Sequence, residues 1–81
     1  MTPDERRARA LRAAEVLASM GWAFEELIQE QQNKWLRAAT PEAREEHHRI
    51  ARATGELAGH LQSIVNQQQG QEKLNERRGE R

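Results

Sequence analysis

The fold is decided by residues 36–44, which read LRAATPEAR. The hydroxyl of Thr40 can accept a hydrogen bond from a free amide in the first turn of a helix, and Pro41 suits the first helical position because its missing N–H is not needed there. Glu42 then faces the positive end of the helix dipole. Because the residue before a proline avoids the helical region, an earlier helix has to end just before Thr40. The stretch therefore predicts a turn between two helices.

The same signal opens the chain, where Thr2 and Pro3 precede two acidic residues in the pattern of a capping box. No segment alternates between apolar and polar residues, so no strand is expected. We predict helix 1 at about 3–39 and helix 2 at about 41–69, before a glycine that follows three glutamines. Residues 71–81 are polar and charged, and we expect a frayed tail there unless a partner orders it.

Both predicted helices carry a stripe with the four-three spacing of a coiled-coil-like packing surface. In helix 2 the stripe is Ala43, His47, Ile50, Thr54, Leu57, Leu61, Ile64 and Gln68. In helix 1 it is less regular and contains Ala13, Leu17, Met20, Phe24, Leu27, Gln31 and Trp35, with Ile28 beside it. Folding the chain at Thr40 brings Leu17 opposite Ile64 and Phe24 opposite Leu57. Large residues then meet large residues, which predicts an all-α fold, an antiparallel two-helix hairpin formed by residues 1–70.

The hairpin has too few large apolar residues for an independent core. Of the 29 apolar residues 12 are alanine, which leaves 17 larger ones. We therefore expect a partner or further copies of the chain, and a homodimeric four-helix bundle, a higher oligomer and docking on another protein all remain open. The apolar residues that do not fit in one seam indicate a second contact surface; they are Val16, Trp22, Ile28, Leu36 and Val65. The predicted interface residues are Leu17, Met20, Trp22, Phe24, Leu27, Ile28, Trp35, Ile50, Leu57, Leu61, Ile64 and Val65.

Two glycines, Gly55 and Gly59, are four residues apart inside helix 2. Each destabilises a helix interior by about 1 kcal/mol relative to alanine. Close approach of another helix or a tryptophan ring is one explanation, and tolerance or a local bend is the other.

Few residues could support catalysis or bind a metal. The chain has no cysteine, and its serines have no histidine and acid in a plausible triad arrangement. Glu45 and His48 have the Glu-x-x-His spacing of di-iron bundles, but such sites also need carboxylates from the facing helix, and none is expected there. His47 lies on the stripe within reach of Gln31 or Trp35; we expect a neutral packing histidine, with a pH-sensitive interface as the alternative. We predict no enzyme, cofactor or metal site.

Four arginines, Arg6, Arg7, Arg9 and Arg12, form a basic patch near the start of the chain and could contact nucleic acid. The net charge is zero, with 13 basic and 13 acidic residues, and no DNA-binding motif is visible. Nucleic-acid binding is therefore the second hypothesis. No apolar run approaches the ~20 residues of a membrane span, so no membrane partner is expected and the default location is the cytoplasm.

Several positions between Ala23 and Gly70 resemble a set of small helical proteins from tailed bacteriophages and prophages that are encoded among the virion-assembly genes. The resembling segments are residues 23–27, Trp35, the Thr40-Pro41 region and residues 60–65. The resemblance implies a protein that joins or helps to build a phage particle, and it implies no catalytic residue. A phage-encoded inhibitor of a host protein is a further alternative.

Overall fold

A computed structural model of the chain describes residues 1–79, and the side chains of residues 1–77. Helix α1 spans Pro3–Arg37 and helix α2 spans Pro41–Gly79. Residues 38–40 join them, and Pro3 lies beside Asn75 at the far end, so the helices run antiparallel. The hairpin measures 63 × 21 × 20 Å. The predicted all-α two-helix hairpin is confirmed.

Both helix starts have the capping geometry that the threonines predict. The side-chain hydroxyl of Thr2 accepts a hydrogen bond of 3.1 Å from the backbone N–H of Glu5. That of Thr40 accepts one of 3.2 Å from the N–H of Ala43. At the end of α1, Ala38 is extended, and its N–H donates to the carbonyl of Trp35. The chain therefore leaves the helical conformation at Ala38, two residues before the proline signal.

We expect Thr40→Ala to lower the free energy of unfolding by about 1 kcal/mol, because an amide of the first turn of α2 loses its partner. In a chain of this size that corresponds to a decrease in Tm of about 4–8 °C, measured by circular dichroism at one fixed protein concentration. Thr40→Ser, which keeps the hydroxyl, is the matched control and should melt close to the wild type. Equal losses in both variants would show that the cap is not the cause.

Helix α2 is longer than the sequence predicts, because it continues through Gly70 to Gly79. One interior glycine is a weak stop signal, and most residues that follow it are good helix formers. The side-chain amide of Gln68 also donates to the carboxylate of Glu72 across the glycine, at 3.3 Å. The predicted end near residue 69 is therefore wrong, whereas residues 80–81 of the predicted tail lie outside the described part of the chain.

The predicted pairing of the helices is displaced by about one turn. Gln31, which would face Ile50 in the predicted register, hydrogen bonds to His47 instead. The predicted pairing of Phe24 with Leu57 is therefore wrong, since this register places Phe24 level with Thr54. The cause is the early end of α1 at Arg37, which moves the middle of the connection from the proline signal back to residue 39.

The two helices also face each other through other side chains than predicted, and two of the three replacements are smaller. Met20, Leu27 and Leu57 were expected between the helices, but they are 46%, 36% and 50% exposed. Residues one position further along, Gly21, Ile28 and Ala58, are less exposed in their place. The seam residues of the structure are Ala10, Ala13, Leu17, Gly21, Phe24, Ile28 and Gln31 on α1, and His47, Ala51, Thr54, Ala58, Leu61, Val65 and Gln68 on α2.

Candidate protein-interaction site

Six of the large apolar residues that lie outside the seam form two rows on the outside of the hairpin. On α1 the row recurs after four and seven residues, and on α2 after seven, which is the repeat that keeps side chains on one side of a helix. Most of these side chains are at least one-third exposed, and only Ile64 is half-buried. We call this set the apolar face; it comprises Val16, Met20, Leu27, Ile50, Leu57 and Ile64.

The two rows of the apolar face lie on the same side of the hairpin. Arg9 precedes Val16 by seven residues and therefore belongs to the row on α1. Arg9 and Ile64 line one shallow depression between the helices. Because Ile64 belongs to the row on α2, the two rows lie on the same side of the hairpin.

A second apolar surface lies near the turn and is turned away from the apolar face. Leu36 comes nine residues after Leu27, which rotates it by about 180° around α1. It forms the rim of an open groove of about 650 Å³. We call this the turn-end groove; its lining is Ile28, Gln31, Gln32, Trp35, Leu36, His47, His48, Ala51, Arg52 and Gly55.

The floor of the turn-end groove contains the one hydrogen bond between side chains of different helices that the described residues form. Nδ1 of His47 and Oε1 of Gln31 are 2.8 Å apart, and Gln31 is only 6% exposed. The expectation that His47 lies within reach of Gln31 is confirmed. In this pairing the ring N–H donates and the amide oxygen accepts. Because a buried amide without a partner is costly, this contact favours one register of the hairpin.

We expect Gln31→Leu to lower the free energy of unfolding by about 1–3 kcal/mol, since it leaves the imidazole of His47 without its partner in a half-buried site. The double variant Gln31→Leu/His47→Leu replaces both polar groups by apolar ones and should be near neutral. Urea unfolding of the wild type, both single variants and the double variant gives the coupling free energy between the two side chains. Additive losses would contradict a specific interaction.

The predicted interface residues do not form a single surface. Leu17, Phe24, Leu61 and Val65 lie in the seam, whereas Met20, Leu27, Ile50, Leu57 and Ile64 belong to the apolar face. Ile28 and Val65, which were expected on a second surface, are half-buried between the helices instead. Ile28 and Trp35 also line the turn-end groove, where the guanidinium of Arg44 lies 5.9 Å from the Trp35 ring centre.

Trp22 lies outside the apolar face and the turn-end groove. It is 64% exposed, and its indole N–H donates a 2.9 Å hydrogen bond to the carbonyl of Ser19. That contact lies within its own helix turn. Trp22 is thus an exposed aromatic residue on the side of α1 that faces away from α2, in agreement with the prediction that it lies outside the seam.

The arginine patch is exposed and interspersed with acidic residues. All four arginines near the start of the chain are exposed, and Arg7 lies 3.8 Å from the carboxylate of Asp4. Arg6 and Arg9 line a depression together with glutamines of α2. The hairpin also brings Glu72 and Glu76 to this end. The patch is thus a mixed-charge helix surface.

The two groups considered for chemistry are not assembled into a site. Glu45 pairs with Arg49 within α2 at 3.9 Å, while His48 lies on the wall of the turn-end groove. Within the described residues, no three His, Asp or Glu side chains are placed so that they could hold a metal ion. Over the same part of the chain, neither helix has an apolar stretch of the length that crossing a membrane requires.

Comparison with known proteins found no matching protein-family model, no matching curated protein and no matching solved structure. The resemblance to phage assembly proteins therefore stays a prediction.

Proposed function

We propose that the chain is a non-enzymatic protein–protein interaction module that builds or joins a larger assembly through its apolar face. The observation that carries this proposal is that both rows of the apolar face lie on the same side of the hairpin. Of their six large apolar side chains, five are at least 36% exposed. An exposed apolar surface of this kind is typical of a contact site.

The size of the exposed surface supports the same conclusion. The hairpin has an accessible surface of 6600 Å². A compact monomer of 9.4 kDa is expected to expose about 5,000 Å². Among the described residues of the hairpin, the buried apolar ones are Ala10 and Ala13, and no large side chain is fully buried. Such a hairpin gains most of its stability from burying its outer surface against a partner.

The assembly that we propose is a phage particle, with the chain as a structural or assembly component of the virion. The resemblance to phage assembly proteins supports this proposal, and a small helical hairpin with contact surfaces on two sides suits the role. The chain would be made in the cytoplasm of the host and would end in the virion. Inhibition of a host protein through the same apolar face is the alternative.

The test is the molar mass of the chain in solution, measured by light scattering over a wide concentration range, together with its thermal stability. We expect association, and a Tm that rises with concentration. Leu57→Asp should reduce both, whereas Gln29→Asp, at an exposed position outside the apolar face, should change neither. A folded monomer whose mass and stability are unaffected by concentration and by Leu57→Asp would overturn the proposal.

Nucleic-acid binding is the second candidate, and the observation in its favour is that all four arginines of the patch are exposed. Binding through these side chains has to weaken steeply with salt, because each phosphate contact releases counterions. Replacing Arg6, Arg7 and Arg9 together by alanine should then reduce affinity for duplex RNA or DNA and flatten its salt dependence. Unchanged affinity and unchanged salt dependence would exclude this candidate.

A further inference from the structure

We propose that the apolar face is covered by a second copy of this chain, stacked so that the turns of both hairpins lie at the same end. The result is a four-helix bundle in which α1 of each copy lies on α2 of the other. This inference rests on the proposed function and names the partner and its orientation. It is argued from the area of the exposed surface and from the charges at the ends of the apolar face.

The area of exposed surface fits a dimer. Each hairpin exposes about 1,600 Å² more than a compact monomer of its mass. Two copies that bury this excess would lose about 3,000 Å² in total, which lies within the range of obligate homodimers. The apolar face is also centred along the hairpin, since its rows span residues 16–27 of α1 and 50–64 of α2.

The charged residues that continue the two rows differ between the helices. On α1 the row continues to Arg9 at one end and to Lys34 at the turn end, where Lys34 also forms an ion pair of 3.3 Å with Glu30 of its own helix. On α2 the row begins at Glu46 near the turn and continues to Gln71 at the far end. Glu46 precedes Ile64 by 18 residues, or five helical turns, which places it on the same line.

A two-fold axis can stack two apolar faces in two regular ways. With the turns at opposite ends, α1 lies on α1, and Arg9 meets Lys34 of the partner subunit, which places like charges together. With the turns at the same end, α1 lies on α2, and Lys34 meets Glu46 of the partner subunit. Because like charges across an interface are unfavourable and opposite charges favourable, the second arrangement is selected.

The same-end arrangement also matches the apolar residues by size. Within one hairpin Gln31 is level with His47, which sets Leu27 level with Ile50 and Met20 level with Leu57. A two-fold axis parallel to the helices preserves these levels. Leu27 therefore packs on Ile50 of the partner subunit, and Met20 on Leu57 of the partner subunit.

The orientation can be measured directly because the chain has no cysteine to remove. We would introduce one cysteine at the exposed Ala39, attach a nitroxide and measure the distance between the two labels by pulsed electron paramagnetic resonance. Turns at the same end give a distance below about 30 Å, whereas turns at opposite ends of a bundle 63 Å long give about 50 Å or more. Asn75→Cys reports the far end in the same way. Ser19→Cys, near the middle, gives a short distance in both arrangements and controls for dimer formation.

A charge reversal tests the orientation independently, because the Kd of dimerisation rises in one arrangement and falls in the other. In the same-end dimer Lys34→Glu places a carboxylate near Glu46 of the partner subunit at two symmetry-related contacts. The Kd should then rise about tenfold at low salt. In the opposite-end dimer the new carboxylate would meet Arg9 of the partner subunit, and the Kd should fall. Lys34→Glu/Glu46→Lys should restore the wild-type Kd in the same-end dimer. Lys34→Glu also breaks the ion pair of Lys34 with Glu30 in its own helix, so the matched control is Arg49→Glu, which breaks the equivalent pair with Glu45 at an exposed position outside the apolar face.

The outcomes separate this inference from the proposed function. Short distances at residues 39 and 75 together with weaker binding by Lys34→Glu support it. Long distances, or tighter binding by Lys34→Glu, overturn the orientation and leave the interaction module intact. A trimer or larger oligomer overturns the four-helix bundle in the same way. A folded monomer that is insensitive to Leu57→Asp overturns both.

Discussion

Phe24→Asp is expected to abolish the cooperative unfolding transition of this protein. Phe24 is half-buried in the seam, level with Thr54, and is the one phenylalanine of the chain. Removing such a ring from between the helices and placing a carboxylate there lowers the free energy of unfolding by about 3 kcal/mol or more. A core as small as this one rarely supplies more than about 3–5 kcal/mol. Thermal denaturation followed by far-ultraviolet circular dichroism should show low helicity and no sharp transition.

The matched control for Phe24→Asp is Gln29→Asp, which adds the same side chain to an exposed position of the same helix. It should keep the wild-type helix content and transition. Leu57→Asp tests the other surface, because Leu57 is half exposed on the apolar face rather than in the seam. We expect it to dissociate the assembly at a concentration at which Phe24→Asp is already unfolded. If Phe24→Asp melts like the wild type, the seam described above is wrong.

The helix starts could be predicted from the sequence because their cause is local. A threonine followed by proline and acid satisfies the free amides of the first turn whatever the rest of the chain does. Both Thr2 and Thr40 accordingly cap the helices that they were expected to start. The helix ends were harder to predict, since α1 ends two residues early and α2 passes through Gly70 because no local signal outweighs continued helix formation.

The seam was only partly predictable, for a geometric reason. In several places a large apolar residue is followed directly by a second residue that could also lie in the seam. Met20 is followed by Gly21 in this way, and Leu57 by Ala58. Both members of such a pair satisfy a four-three spacing, so the pattern does not decide which one lies between the helices. The larger residue was assigned to the seam. In the structure the smaller residue of each of these pairs lies in the seam, and the larger one belongs to the apolar face.

The apolar face was therefore present in the sequence, but its residues were assigned to the wrong surface. Met20, Leu27 and Leu57 were identified as contact residues, and the structure moves them from the contact between helices to the outside of the hairpin. The register of the two helices could not be predicted from the stripes alone, because it depends on where the connection between the helices is centred. The contact between Gln31 and His47, which fixes it, was found because both residues lie on the stripes.

The glycines of the chain allow a test of whether a partner needs their small size. A β-carbon added at Gly21, Gly59 or Gly70 meets no atom within 4 Å in the hairpin, and at Gly55 it makes an ordinary 4.0 Å contact with Ile28. Alanine therefore fits at all four positions. Within one copy, no close approach explains Gly55 and Gly59, so tolerance or the needs of a partner remain as explanations.

Replacing these four glycines together by alanine is expected to raise the free energy of unfolding by about 2–4 kcal/mol, because each helical alanine gains about 0.5–1 kcal/mol over glycine. The Tm should then rise by about 10–20 °C, and the Kd of self-association should not weaken, since neither Gly55 nor Gly59 belongs to the apolar face. Ala18→Gly, the reverse change at an exposed helical position, should lower the stability by a similar amount per residue. A set of alanines that stabilises each copy but weakens association would instead show that a partner helix approaches the glycines closely. That result would place the contact on the side of the turn-end groove.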